Sequence, residues 1–178
     1  MDTKLTGKTR IESDLIGARE IPAEALYGVQ TLRGIENFSI SKFRLSEYPL
    51  FIKGLAITKM AAAMANFELG LLTVEQKDAI IAACGEILDG KHHDQFPVDM
   101  IQGGAGTTTN MNANEVIANR ALELMGHERG EYQYCSPNDH VNCSQSTNDA
   151  YPTAIHIGMY FKHLQSVSYT HLTLPTKR

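Results

Sequence analysis

The segment from about residue 150 to residue 165 constrains the fold of this chain more than any other segment. It predicts a helix with apolar side chains around much of its circumference: Ala154, Ile155, Ile157, Met159, Phe161 and Leu164. A helix of this kind is normally surrounded by other helices. The 178-residue sequence does not contain enough further helices to surround it, so we expect this helix to belong to a larger helical assembly.

Earlier segments predict a β-hairpin and two helices. The hairpin is expected around Asp14–Gly17, and a short helix follows from about residue 28 to residue 37. Pro49 can begin the second helix. Its predicted buried face consists of Phe51, Leu55, Thr58, Ala62, Ala65 and Leu69.

Two more helices have clear end signals. Thr73 and Gln76 form a capping box at the start of one helix, which Gly90 ends. Its predicted buried stripe consists of Ile80, Ile81, Cys84, Ile87 and Leu88. The other helix is expected from about Asn112 to Met125, with Gly126 ending it.

Composition and charge argue against several classes of protein. The formal net charge is −4 and there is no basic stripe, so neither nucleic acid nor an anionic membrane is expected as a partner. No apolar run approaches the length that spans a bilayer, and the N-terminal residues lack an apolar signal core. Three cysteines without CxxC spacing indicate reduced thiols in a cytoplasmic protein.

The stretch QGGAGTTTNMNANE, residues 102–115, predicts a binding site for a small anion. Its glycines allow a tight turn and close approach to a ligand, and its threonine hydroxyls precede a predicted helix N-terminus. Because the stretch contains no lysine or arginine, a carboxylate held by neutral donors fits better than a phosphate. The alternative, that the cluster only caps a helix, remains open.

A second polar cluster, QSTND at residues 145–149, also precedes a predicted helix. Ser146, Thr147 and Asn148 offer three consecutive side-chain donors, although Asn148 or Asp149 could be a plain N-cap. Two uncharged donor clusters, each at a helix entrance, make a shared small-anion site more plausible than either cluster alone does.

Other candidate sites are weaker. The glycine-rich stretch matches neither the phosphate-binding loop nor the dinucleotide fingerprint. His92, His93 and Asp94 fit a solvated loop better than a metal site, and His140 fits a loop or packing role better than an acid–base role. Cys143 has no histidine base nearby in the sequence, which argues against a nucleophile. We therefore predict no metal site.

Five stretches together resemble the aspartate ammonia-lyases (aspartases) of the aspartase/fumarase superfamily. They are RIESDLIGAREIPAEALYGVQTLRGIENF, AAAMANFELG, DQFPVDMIQGGAGTTTNMNANEV, LELMGHERGEYQY and PNDHVNCSQSTNDAYPT. The resemblance covers roughly residues 9–165. QGGAGT followed by QSTND resembles aspartases, whereas class II fumarases carry a TGSGT-like loop and QSSND. Ser136 stands where fumarases usually have a histidine of a secondary dicarboxylate site, which puts such a site in doubt here.

The resemblance implies reversible conversion of L-aspartate to fumarate and ammonia, without an organic cofactor, by a homotetramer. It implies that Thr107, Ser146 and Thr147 bind the β-carboxylate and that Asn148 helps to position the substrate near its amino group. The family's base is a serine in a later glycine/serine-rich loop, which this sequence lacks. The chain alone is therefore expected to be an inactive fragment.

The resemblance also implies a domain division. Residues 1–145 are expected to form a mainly α N-terminal lyase domain with a small β-hairpin, and residues 146–165 the start of the first long helix of a central helical bundle. The final residues, 166–178, include VSYTHLTLPTKR, which resembles one reading frame of a sequencing-library adapter. We predict that they are a non-native tail.

Three rival functions remain open at this point. One is a fumarase-like hydratase acting on malate. Another is a non-catalytic protein with the same fold, as lyase-related lens proteins illustrate. The third is a small phosphate- or nucleotide-binding module, which the missing lysine disfavours.

Overall fold

The computed structural model describes the backbone of residues 7–173 and the side chains of residues 7–167. Its strands and longer helices are β1 Thr9–Asp14, β2 Gly17–Pro22, α1 Val29–Asn37, α2 Pro49–Glu68, α3 Val74–Leu88, α4 Thr107–Leu124 and α5 Thr147–Thr173. Two short 3-10 turns, Leu45–Glu47 and His93–Gln95, and a π-turn, Pro137–Val141, lie in the connections. The predicted mainly α architecture with a small hairpin is confirmed.

The hairpin lies where the sequence predicts it. Strands β1 and β2 are antiparallel, and Asp14 pairs with Gly17 at the turn. The Asp14 carboxylate accepts two hydrogen bonds from the Arg33 guanidinium, at 2.8 Å each, and this pairing lowers the pKa of Asp14 to about 2. The ion pair attaches the hairpin to α1.

The capping box at the start of α3 is also confirmed. The Thr73 hydroxyl accepts a hydrogen bond from the Gln76 amide, and the Gln76 side chain accepts one from the Thr73 amide. Ile80, Cys84 and Ile87 are buried as predicted, and α3 packs between α2 and α4.

The predicted buried face of α2 is wrong beyond its first turns. Phe51 and Leu55 are buried, but Ala65 and Leu69 are exposed. The actual stripe continues through Lys59, Ala63 and Asn66. Two polar side chains therefore occupy core positions, which apolar spacing alone cannot reveal.

Helix α2 also corrects the expectation about apolar length. It is long and apolar enough to cross a membrane by length and composition. Its neighbours are α3 and α5, and its side chains Ile52, Leu55 and Ala56 lie in the hydrophobic core. The packing is that of a core helix.

Helix α5 packs mainly against α2. The two backbones come close together at glycines: a Cβ at Gly54 would overlap the Ala154 backbone, and a Cβ at Gly158 would lie 3.0 Å from the Leu50 carbonyl oxygen. The opposite side of α5 exposes apolar side chains, including Met159, Tyr160 and Leu164. This exposure agrees with the expectation that α5 needs further helices around it.

The boundaries of α5 differ from the prediction at both ends. It begins at Thr147 rather than near residue 150, and it continues to Thr173 rather than ending near residue 165. The change to β-branched and hydroxyl residues after residue 166 does not end the helix. The domain boundaries and the non-native origin of residues 166–178 stay predictions, and residues 174–178 lie outside the described part of the chain.

Candidate active site

Helix α4 begins five residues earlier than predicted. Gly106 is its N-cap, with φ +85°, and Thr107 is its first residue. The three threonines therefore form the first turn of α4 instead of a loop in front of it. The Thr107 side chain is exposed, whereas Thr109 is buried.

The Gln102 side chain holds the glycine-rich loop against α4, and the Asp99 side chain attaches the residues before that loop to the segment around Ser41. The Gln102 side chain accepts from the Thr109 amide at 2.8 Å and donates to the Thr109 hydroxyl at 2.7 Å. The Asp99 carboxylate accepts from the amides of Ile40, Ser41 and Ile101, and its hydrogen bond with the Ser41 hydroxyl is the main reason that its pKa falls to about 2. Both the amide and the hydroxyl of Thr109 are therefore used to hold the loop.

The second cluster forms the N-terminus of α5. The Ser146 carbonyl accepts from the amides of Asp149 and Ala150, and the Ser146 hydroxyl accepts from the Asn148 amide at 3.2 Å. Ser146 and Asn148 are exposed and Thr147 is partly buried. Their donors lie at a helix N-terminus, where free N–H groups favour an anion.

The structure brings the two helix N-termini together. The Asn110 side-chain amide, in the first turns of α4, donates to the Thr147 hydroxyl at 3.1 Å. Gly106 faces the Tyr151 ring so closely that an added Cβ would overlap it. Thr107 precedes Asn110 by three residues and so lies one turn away on the same side of α4. All four predicted site residues therefore belong to two adjoining helix entrances.

A buried polar network lies behind this junction. Lys59 from α2 donates to the Asn142 and Gln145 side-chain oxygens, at 2.9 Å each. Asn142 also accepts from Asn110 at 3.0 Å. The network connects the core of the protein to the donors at the surface.

Lys59 carries the buried positive potential of this region. Its side chain is fully buried, and desolvation lowers its pKa to about 7. The neighbouring thiol of Cys84 has its pKa raised to about 12 by burial, so it remains neutral and does not compensate the ammonium. When Lys59 is protonated, its ammonium group favours an anion at the junction more than a neutral side chain would.

The histidines that the sequence analysis considered as weaker candidates make hydrogen bonds elsewhere in the structure. His92 bonds to the Glu86 carboxylate at 2.8 Å, and His93 to the Ile87 carbonyl at 2.9 Å. His140 accepts the Ser136 amide through Nδ1 at 2.7 Å. Among the described side chains, those of residues 7–167, the structure contains no cluster of three metal-ligating groups.

Ser136 has a structural role. Its hydroxyl accepts from the Asp139 amide at 3.1 Å and donates to the Asp139 carboxylate at 2.9 Å. These bonds cap the π-turn that leads to Asn142.

Sequence reasoning missed the supporting residues Lys59, Asn110, Asn142 and Gln145. A signal existed for Lys59, because it falls at helical spacing between Leu55 and Ala63 on the buried face of α2. Asn110 carried no such signal, since it looked like one more polar residue of the cluster. Its role depends on a contact with a residue 37 positions away.

Comparisons with known proteins point to one family. A profile of the family described as Lyase matches residues 17–172. The aspartate ammonia-lyase of Helicobacter pylori strain J99 is 64% identical over 151 residues, which are 85% of this chain and 32% of that protein. The aspartate ammonia-lyase of Escherichia coli K12 is 60% identical over 157 residues, which are 88% of this chain and 33% of that protein.

Solved structures of related lyases superpose on most of this chain. A fumarate lyase:delta crystallin from Brucella melitensis bound to cobalt superposes with a TM-score of 0.90 at 52% identity, over 92% of this chain and 36% of that one. A class II fumarase from Schistosoma mansoni superposes with a TM-score of 0.81 at 38% identity, over 87% of this chain and 32% of that one. The chain spans about a third of the length of these relatives.

Proposed function

The chain belongs to the lyase family that matches residues 17–172, and from that premise we propose that it supplies the carboxylate-binding part of an aspartate ammonia-lyase active site. The reaction is the reversible conversion of L-aspartate to fumarate and ammonia. The observation that carries the proposal is the junction of the α4 and α5 N-termini, where Asn110 donates to Thr147 at 3.1 Å.

The proposed chemistry follows from where charge develops. A base removes a proton from the carbon next to the β-carboxylate, and the C–H electrons move into that carboxylate to give an enediolate-like dianion. The electrons then return to form the C=C bond of fumarate, while the C–N bond breaks and its electron pair leaves with the ammonia. The intermediate carries more negative charge on its carboxylate than the substrate does.

The residues at the junction stabilise that additional charge. Thr107, Ser146 and Thr147 donate to the β-carboxylate, and Asn148 lies near the amino group. Donors that are already oriented stabilise the dianion more than the ground state. Neutral donors suit this task because they bind a charged substrate without holding the charged product too tightly. The base comes from outside these four residues, and the 178-residue chain alone is expected to be inactive.

The proposed assembly is a homotetramer, and the proposed location is the cytoplasm. Met159, Tyr160 and Leu164 lie exposed on α5, and in a homotetramer helices of the complete protein would cover such a face. A cytoplasmic location fits the free thiols of Cys84, Cys135 and Cys143.

A chimera tests the proposal. Residues 1–165 are joined to the part of the Escherichia coli relative that follows the aligned segment, and fumarate is followed by its ultraviolet absorbance. We expect fumarate from aspartate but not from malate. Thr147→Ala should lower kcat by about 10²–10³, as removal of one oriented donor does.

The matched control is Thr153→Ala, the same substitution at an exposed position of α5. It should leave kcat unchanged. A folded chimera that dehydrates malate but does not deaminate aspartate would identify a hydratase instead, and near-normal turnover of Thr147→Ala would contradict the assigned site.

A further inference from the structure

We infer that Asn110 is a positioning residue that makes the Thr147 hydroxyl a hydrogen-bond donor to the substrate carboxylate. The inference rests on the proposed function of the same site. It goes further because it assigns the direction of each hydrogen bond in the network behind the site.

The orientation of the Asn142 side-chain amide is the starting point of the hydrogen-bond network. Its Nδ2 donates to the main-chain oxygen of Gln145 at 3.1 Å. A carbonyl oxygen only accepts, so this contact fixes which end of the Asn142 amide is the NH₂ group. The Asn142 Oδ1 must then face the other way, where it accepts from Lys59 at 2.9 Å and from Asn110 at 3.0 Å.

The orientation of the Asn142 amide then determines the orientation of the Asn110 amide. Because the Asn142 Oδ1 is an acceptor, the Asn110 group that faces it must be the NH₂ group. That group has two hydrogens, and the second is donated to the Thr147 Oγ1 at 3.1 Å. A flipped Asn110 amide would place two oxygens against each other, so one orientation is strongly favoured.

The result at Thr147 is a hydroxyl whose oxygen already accepts a bond. Its single proton is therefore free to be donated elsewhere, and within residues 7–167 it has no protein acceptor. Accepting a hydrogen bond also polarises the O–H group and strengthens the bond that it donates. The network thus presents a donor to the position where the carboxylate charge increases.

The Asn110 side chain is buried, and one end of its amide makes both of its hydrogen bonds. Asn110 is 1% exposed, and its Oδ1 is a buried acceptor without a partner in the described part of the chain. Buried polar atoms are rarely left unsatisfied. The hydrogen-bonding capacity that Asn110 uses is therefore that of the NH₂ group, which it directs at Asn142 and Thr147.

The test is a double-mutant cycle in the chimera described above. Asn110→Ala should lower kcat at least about tenfold with a smaller effect on KM, because Thr147 keeps its hydroxyl but loses its preferred direction. In a Thr147→Ala background, Asn110→Ala should change kcat by less than about twofold, because Asn110 acts through that hydroxyl.

Asn110→Asp provides a second variant of the same shape. Its carboxylate can only accept, so the Thr147 hydroxyl would turn towards it and away from the substrate. We expect a larger fall in kcat than for Asn110→Ala. The control is Asn112→Ala, which removes another buried amide of α4, bonded to the Gln95 carbonyl. It should lower thermal stability without lowering kcat.

The outcomes separate the two proposals. If the unsubstituted, folded chimera forms no fumarate from aspartate, the proposed function fails and this inference fails with it. If that chimera is active but Asn110→Ala lowers kcat by the same factor with and without Thr147, Asn110 has an independent structural role and only the inference is overturned. Full activity of Asn110→Asp would overturn it as well.

Discussion

Gly106 is the position where one added methyl group should most disturb the junction of α4 and α5. Its φ of +85° lies in the left-handed region, and its Cα hydrogens face the ring of Tyr151. That ring is itself held edge-on against Phe51, with the ring centroids 5.4 Å apart. Gly106→Ala therefore adds a Cβ at a place where neither the backbone nor the neighbouring ring accommodates it.

The size of the effect has two parts. A non-glycine residue in the left-handed region costs roughly 1–2 kcal/mol, of which about 0.4–1 kcal/mol is offset because alanine restricts the unfolded chain. Overlap with the Tyr151 ring adds about 1–3 kcal/mol, the usual cost of overpacking. Together they should lower the free energy of unfolding by about 2–4 kcal/mol.

Urea unfolding of the dilute chain, followed by far-ultraviolet circular dichroism, measures this loss. The matched control is Gly104→Ala, because Gly104 also has a positive φ, +71°, but its Cβ would lie no closer than 3.7 Å from another atom, the Thr107 Oγ1. Gly104→Ala carries the backbone cost alone. The difference between the two variants isolates the contact with Tyr151.

A relief variant completes the test. Adding Tyr151→Ala to Gly106→Ala removes the ring that the new Cβ meets, so Gly106→Ala should then cost no more than Gly104→Ala. Equal destabilisation by Gly106→Ala and Gly104→Ala in the parent chain would show that the α4 N-terminus does not pack on Tyr151, and the adjacency of the two donor clusters would lose its support.

Two further predictions concern buried charges. Desolvation lowers the pKa of Lys59 from 10.5 in the unfolded chain to about 7 in the folded chain, so the unfolded state binds more protons in this window and stability should rise with pH through it. The melting temperature relative to Lys59→Met should therefore increase between about pH 7 and pH 9, and a flat difference would contradict a desolvated lysine. Glu115 accepts the amides of Gly28, Gln30 and Thr31 at the N-terminus of α1. Glu115→Ala should cost about 2–4 kcal/mol by leaving these donors unpaired, net of the desolvation of the carboxylate, and should speed their hydrogen exchange; unchanged protection would refute the capping role.

Local signals in the sequence were sufficient to predict several secondary-structure elements. Thr73 and Gln76 lie three residues apart and bond to each other, so the start of α3 depends only on neighbours along the chain. The hairpin turn at Asp14–Gly17 is equally local. The α2 face was misjudged because Lys59 and Asn66 are polar, and their burial depends on partners about 80 residues away, Asn142 and Cys143.

In the candidate site, too, some features follow from local sequence and others depend on distant contacts. The two clusters of hydroxyl and amide side chains stand out in the sequence because they contain no lysine or arginine and lie at predicted helix entrances. The sequence did not predict which of these side chains holds the loop and which remains exposed. Thr109 bonds to Gln102 and holds the loop, whereas Thr107 remains exposed. Which hydroxyl is free depends on the three-dimensional position of the α4 N-terminus, five residues earlier than expected.

The helical class, the hairpin, the family resemblance and the neutral donors of the candidate site could all be predicted from the amino-acid sequence. These follow from residue types and short spacings, whose physical effects act within a few turns of chain. The tertiary structure alone decided that the two clusters adjoin, that Lys59 lies buried behind them, and that Asn110 donates to Thr147. Such contacts join residues far apart in the chain, and their hydrogen-bond directions exist only once α2, α4 and α5 pack together.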